Sequence, residues 1–309
     1  MILVGGENLM DMIQIDNQNE NALLEAVPGG SPYNLARAAG RQGVKVGYVT
    51  PISKDKNGEQ LAQNLVNSNV SLLGPRVTAP TSLAMVHIED GIPSYSFYRE
   101  GTAERLVTLD SLSKNLTSEV SIFHIGSLAL TGGKDALIWE EFVKRTKENN
   151  VKVSLDPNVR PSLIAEPDVY RQRIKNLITE VDILKLSDED LLWLFNDSAD
   201  ETNALAELEV IASGIGRDKK ICIGAVTHRT LQVETPHEVA ALIKRALEFI
   251  DLDRLLISSD CGFGRQGMSR MHAFYKMVSL VKGVNLVRKE LGLDVTEAPA
   301  ALGRYDFLR

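Results

Sequence analysis

The sequence predicts an α/β fold, a mainly parallel sheet covered by helices with a small β-hairpin attached to it. Two observations carry this. Short runs rich in Val and Ile alternate with longer segments of helical period through most of the 309 residues, the order that lets strands pair in parallel beneath helices. One stretch breaks the rhythm: Leu83–Glu89 and Ser94–Arg99 flank Asp90-Gly91, a dipeptide that accepts positive φ cheaply and so favours an antiparallel turn.

In chain order, strands are expected near Ile2–Val4, Ser121–Ile125, Val151–Leu155, Asp182–Leu184, Lys220–Ala225 and Leu255–Ser258. Between them the apolar residues return at helical spacing near Pro32–Gln42, Gly58–Asn67, Lys134–Asn149, Asp168–Thr179, Asp188–Phe195, Pro236–Phe249 and Met268–Leu291. The first of these helices carries strong punctuation. Ser31 is a suitable N-cap, Pro32 suits the first turn and Gly43 ends the pattern. Asn196–Asp218 is polar, carries Gly214 and Gly216, and is the expected boundary region.

Composition narrows the function classes. A hydrophobic share of 44% and a charged share of 24% are those of an ordinary globular protein. The formal net charge of −7 argues against nucleic-acid or anionic-membrane partners, which draw on surplus Lys and Arg. No apolar run reaches the length of a membrane span, and no basic leader precedes the first strand, so a cytoplasmic location is expected. Two cysteines, Cys222 and Cys261, make no disulfide framework.

Pro28-Gly29-Gly30-Ser31-Pro32-Tyr33-Asn34 is the most informative local sequence. Read locally, the glycine pair is either a tight strand-to-helix turn or a place where a polar ligand approaches bare backbone. Asp156-Pro157-Asn158-Val159-Arg160 leaves a later strand. Its three polar residues alternate, so they project to one face, although a plain strand exit and a surface ion pair explain them equally. Ser187 and Asp190 in Lys185-Leu186-Ser187-Asp188-Glu189-Asp190 also read as a helix N-cap and an acidic first turn.

Together and in this order with Gly6-Glu7-Asn8-Leu9-Met10-Asp11, these segments resemble the PfkB family of carbohydrate kinases over about residues 1–205, nearest the fructokinase and ribokinase-like members. The resemblance implies a ribokinase-like fold and phosphorylation of a sugar hydroxyl by ATP with Mg²⁺. It implies that Asp11, Gly29, Gly30 and Asn34 bind sugar hydroxyls, with Asp156, Asn158 and Arg160 beside them. It makes the hairpin region, 83–106, a lid that brings Arg99 and Arg105 near a small sugar or sugar acid, and lids of this family often pair in a homodimer. Lys185, Ser187 and Asp190 take the nucleotide side, with Ser and Asp where the family usually has Asn and Glu.

The same family ends in a Gly-Ala-Gly-Asp turn that supplies an anion hole and the general base, and no Gly-Ala-Gly-Asp occurs in this chain. Activity is therefore expected to be impaired. Asp260, before a glycine-rich turn, is the nearest substitute base. Instead, Lys220–Pro236 and Leu255–Gly264 resemble the end of cobalamin-independent methionine synthase over about residues 217–293, a (β/α)₈-barrel family. That makes 219–309 a βαβα segment of barrel type and 206–218 a junction. Cys261 then becomes a candidate zinc ligand, yet the family's other ligands belong to strands absent here, and one cysteine does not make a zinc site. A sugar-binding protein without catalysis and a fragmentary zinc-dependent methyltransferase are the alternatives. Gly262-Phe263-Gly264-Arg265-Gln266-Gly267 matches a dinucleotide fingerprint only in form, because no βαβ unit follows it. His87, His124, His228, His237 and His272 lack metal-ligand spacing.

Overall fold

The computed structural model describes residues 1–16, 23–89, 92–195, 220–260, 262–263 and 268–296. Two compact units divide the chain, Met1–Asp182 and Ile183–Arg309. The expected junction at 206–218, the Asp90-Gly91 turn and Cys261 lie outside the described residues.

The first unit runs β1 (Ile2–Val4), β2 (Leu9–Asp16), β3 (Leu23–Gly29), α1 (Ser31–Arg41), β4 (Val46–Tyr48), β5 (Ile52–Ser53) and α2 (Lys56–Val66). It continues through β6 (Val70–Leu72), β7 (Arg76–Val77), β8 (Ser82–Glu89), β9 (Ile92–Tyr98) and α3 (Leu109–Ser113). β10 (Ile122–Gly126), α4 (Lys134–Glu148), β11 (Lys152–Asp156) and α5 (Pro167–Glu180) complete it. Parallel pairing joins β11, β10, β1, β4 and β6 in that spatial order, with Val4 opposite both His124 and Tyr48. Because β1 lies inside this sheet, Leu3 and Val4 are fully buried, as a two-sided parallel strand requires.

The packing on the sheet is aromatic. Tyr33 of α1 meets Tyr48 of β4 edge to face, ring centroids 6.1 Å apart. Both hydroxyls stay satisfied in the core, donating to the carbonyls of Leu61 and Gly6. A second aromatic group joins Phe123 of β10 to Trp139 and Phe142 of α4, at 6.2 and 4.8 Å.

The hairpin is larger than the sequence suggests. β8 and β9 pair antiparallel as expected, but they form one half of a four-stranded sheet in the order β3-β2-β8-β9. β2 pairs parallel with β8 and antiparallel with β3. Leu9–Asp16 carries its polar residues at positions 11, 14 and 16, without the strict alternation that marks a half-buried strand; one of its partners, β8, is distant in sequence, which hides the pairing from a local reading.

The second unit contains β12 (Ile183–Lys185), α6 (Asp188–Phe195), β13 (Lys220–Val226), α7 (Pro236–Ala246), β14 (Leu255–Ser259) and α8 (Arg270–Glu290). β12, β13 and β14 pair in parallel in that order. Val239 and Ile243 of α7 and Leu280 and Val287 of α8 build its core with Ala225 and Val226. A reciprocal cap between Thr235 and Glu238 starts α7. The βαβα order expected here is present. Among the described residues β14 is an edge strand, so the barrel expected of this segment is not formed by them. No described helix is long and apolar enough to cross a membrane.

Removing the largest ring of the second aromatic group, Trp139, leaves a cavity in the core. Trp139→Ala is expected to cost about 3–5 kcal/mol, read as a lower urea midpoint with unchanged slope.

Candidate functional site

The glycine turn is built by pairing β2 with β3, which sets Leu9 opposite Gly29 and Asp11 opposite Val27. A Cβ on Gly29 would lie 2.2 Å from Asp11 Oδ2, so only glycine lets that carboxylate rest over the turn. Gly30 has φ +110°, and a Cβ there would lie 2.5 Å from the Glu7 carbonyl. Burial pushes the Asp11 carboxyl up to about 6, because a dry setting penalises the charged form. Asn34, one turn into α1, is exposed, with its Oδ1 accepting from Arg37 at 3.4 Å.

The cap of α1 corrects the sequence reading. Gly30, not Ser31, is the N-cap residue, and it has no side chain to cap with. The buried carboxylate of Glu7 does this work from outside the helix: Oε1 accepts from the Ser31 amide at 2.8 Å. Its other oxygen accepts from the Leu128 amide at 3.2 Å. Pro32 in the first turn and Gly43 beyond the last, at φ +82°, are as expected. Glu7 received no role from the sequence; an acid placed directly after a buried strand was the available signal.

Leu128 belongs to the turn Ser127–Leu130 that follows β10. Ser127 stands at φ +58° and Asn158 at φ +41°, and Asn158 Nδ2 donates to Ser127 Oγ at 3.4 Å. Such backbone is uncommon outside glycine and clusters where function or packing over-determines it. Asp156 and Asn158 are half-buried and Arg160 is exposed, between buried Pro157 and Val159; the left-handed φ of Asn158 departs from the extended backbone on which three alternating groups would share one face. Arg160 is exposed and donates to the carbonyls of Asn158 and Val159.

The two arginines of the hairpin region are held by acids. Arg99 is 8% exposed and bonds both oxygens of Glu104, at 2.7 and 3.1 Å. Ser82 Oγ donates to Glu104 Oε1 at 3.0 Å. Arg105 bonds both oxygens of Asp135, at 2.7 and 3.1 Å, and the Gly132 carbonyl. These forks fix each guanidinium plane. Both arginines line a cavity of about 410 Å³ with Phe97, Thr131, Leu163 and Arg173; Asp11, Gly29, Gly30 and Asn34 are not in its lining.

In the second unit the nucleotide-side candidates meet at the end of β12. Ser187 Oγ accepts from the Asp190 amide at 3.0 Å and Asp190 Oδ2 from the Ser187 amide at 3.2 Å, a reciprocal cap at the start of α6. Lys185 ends β12, opposite Cys222; Cys222 is only partly buried. Asp260 follows β14 and is occupied. Its Oδ2 accepts from the Thr227 hydroxyl at 2.7 Å, and its Oδ1 lies 2.9 Å from both the His228 amide and His228 Nδ1. Burial opposes ionisation of Asp260, but the Thr227 and His228 bonds outweigh it and hold the carboxyl below the usual range. His228 thus pairs with Asp260. Among the described residues no three His, Cys, Asp or Glu side chains form a metal-binding group.

The pfkB family carbohydrate kinase model matches residues 1–219. The model of the cobalamin-independent synthase catalytic domain matches residues 179–282, so the two overlap across β12 and α6. A fructokinase of Rhizobium leguminosarum bv. trifolii is 35% identical over 236 residues, which are 72% of this chain and 72% of that protein. Matches to plant fructokinases span between 51% and 66% of those proteins. The crystal structure of a fructokinase from Xylella fastidiosa superposes with TM-score 0.61 and 30% identity, covering 67% of this chain and 68% of that one. A fructokinase from Vibrio cholerae O395 in its fructose, ADP and calcium ion bound form, TM-score 0.60 at 18% identity, covers 91% of this chain and 89% of its own. At that identity the likeness is one of fold, and the fold is ribokinase-like.

A carboxyl shielded by its own turn must titrate late. Asp11 is expected to titrate near 6 in a ¹³C carboxyl NMR titration, against an ordinary 3.8; a midpoint near the ordinary value would show water reaching the turn.

Proposed function

The chain belongs to the pfkB family of carbohydrate kinases, and we propose that it binds fructose or a close relative through its first unit and phosphorylates it with ATP slowly. The observation that carries this reading is the glycine turn, where Gly29 and Gly30 leave room for one desolvated carboxylate, Asp11, beside bare backbone. Vicinal hydroxyls need both acceptors and donors at close range. Asp11 supplies the acceptor, the amide of Asn34 supplies both, and Asn158 and Arg160 in the segment after β11 add donors.

On the nucleotide side, Lys185, Ser187 and Asp190 offer a cation, a hydroxyl and a carboxylate, a set that fits a magnesium-bound triphosphate. When bound, Mg²⁺ would neutralise charge on the phosphates. The chain's own part is to orient the sugar hydroxyl and exclude water.

Removal of the hydroxyl proton is the weak step. The family's Gly-Ala-Gly-Asp is absent, and Asp260 is a poor replacement because Thr227 and His228 already use its oxygens and keep it ionised. Loss of a general base costs about 10²–10⁴ in rate, and loss of oriented amides roughly 10²–10³ more. The same occupancy of Asp260 supports the second reading, a protein that binds sugar and transfers nothing. The composite character of the chain, sugar kinase first and synthase-like tail after, belongs to this proposal too.

A coupled ADP-release assay over a panel of sugars is expected to give fructose-dependent turnover at least about a thousandfold below an intact sugar kinase. Asp260→Asn should alter it less than about tenfold. Turnover of order 10 per second that vanishes in Asp260→Asn would sink the missing-base argument.

Binding gives a separate check through pH. A proton competes with the sugar hydroxyl for the Asp11 carboxylate, so calorimetric affinity for fructose should rise as pH increases through about 6 and level off above it. Asp11→Asn should flatten that profile. A wild-type chain that gives no heat with fructose at any pH would remove the sugar assignment.

A further inference from the structure

The groups around the glycine turn come from segments far apart in sequence, and one side chain touches two of them. Glu7 is 1% exposed. Its Oε1 holds the Ser31 amide, next to Gly30, and its Oε2 holds the Leu128 amide, next to Ser127. Ser127 in turn receives Asn158 Nδ2. Arg99 is the cation nearest in influence to Glu7, opposing the effect of burial on its carboxyl. Arg99 itself is gripped by Glu104, which Ser82 at the start of β8 also bonds.

We propose that Glu7 is a positioning residue for sugar binding, its two oxygens tethering the glycine turn to the Ser127–Asn158 turn. A carboxylate is required because both partners are N–H donors and each oxygen must accept. Glutamine keeps the size but presents one carbonyl and one donor, so one of the two amides faces an N–H and is left unpaired. Ser127 and Asn158 sit in sparsely populated backbone, and a strained turn relaxes when an anchor is lost. Sugar affinity is then set in part by a side chain that touches no sugar. This rests on the sugar-binding reading, but the tether can be tested without it.

Native-state hydrogen exchange on the wild-type chain tests the tether. The Ser31 and Leu128 amides should be strongly protected and should respond in parallel to added denaturant, because one carboxylate holds both. Independent responses would overturn the tether. In Glu7→Gln, exchange at one or both amides should accelerate at least about tenfold, and the calorimetric Kd for fructose should rise about five- to a hundredfold. ATP affinity should stay unchanged, which loss of overall stability would not predict. Thr146→Val removes a buried hydroxyl that bonds only within α4; it serves as the control and should move neither the two amides nor fructose affinity. If Glu7→Gln frees the amides yet binds fructose as the wild type does, the positioning role is refuted. A wild type that binds no fructose would refute the sugar reading while the exchange result still decides the tether.

Discussion

A carboxylate taken out of water must be answered by donors and a counter-charge, and in the first unit that demand falls on Glu7. Burial pushes its carboxyl up, and the amide donors and the charge of Arg99 offset that only in part. Arg99 is shared with a second buried carboxylate, Glu104, itself 3% exposed. Removing one member of such a group leaves an uncompensated charge, a loss of about 3–5 kcal/mol in comparable cases. The arrangement therefore has few alternatives. The start of α1 and the end of β10 cannot shift separately without stranding an amide.

That constraint explains why the glycine pair is a pair. With the first turn of α1 drawn against Glu7, Gly30 is pressed onto the Glu7 carbonyl and Gly29 beneath Asp11. Two side chains are excluded, and the space they would fill is left to Asp11 and to bare backbone. The raised carboxyl of Asp11 follows from the same closeness, since water is kept from it.

The ends of β13 and β14 show a different economy. There Thr227 and His228 spend their donors on Asp260, and Lys276, fully buried in α8, bonds Glu234 at 2.9 and 3.1 Å. Glu234 also receives the Thr227 amide at 2.8 Å. These polar groups at the strand ends are committed to one another, a satisfied network that steadies a loop. A group so occupied is poorly placed to take a proton from a substrate, whatever its charge.

How much of this could be read in advance depends on distance along the chain. Much of the α/β order is legible because apolar period and turn residues act within a few positions: Pro32 and Gly43 frame α1, and Ser187 with Asp190 caps α6; β4 and β6 of the central sheet are not, because three residues are too short to show a period. β2 and β3 were missed because a half-polar strand is recognised by its partners, and β2 finds one of them, β8, far along the sequence. The cap of α1 differs from the local reading for the same reason, since a serine in the right place is a local signal and a glutamate reaching in from between β1 and β2 is not. The sequence by itself determined the parallel α/β class, the family motifs and the absence of Gly-Ala-Gly-Asp, all of which reside in residue identity and short-range spacing. Only the tertiary structure decided that Arg99 and Arg105 are held by Glu104 and Asp135, that Asp260 is engaged by Thr227 and His228, and that Glu7 joins two turns. A charge takes its partner from whatever folding brings within reach, and that choice is made across space.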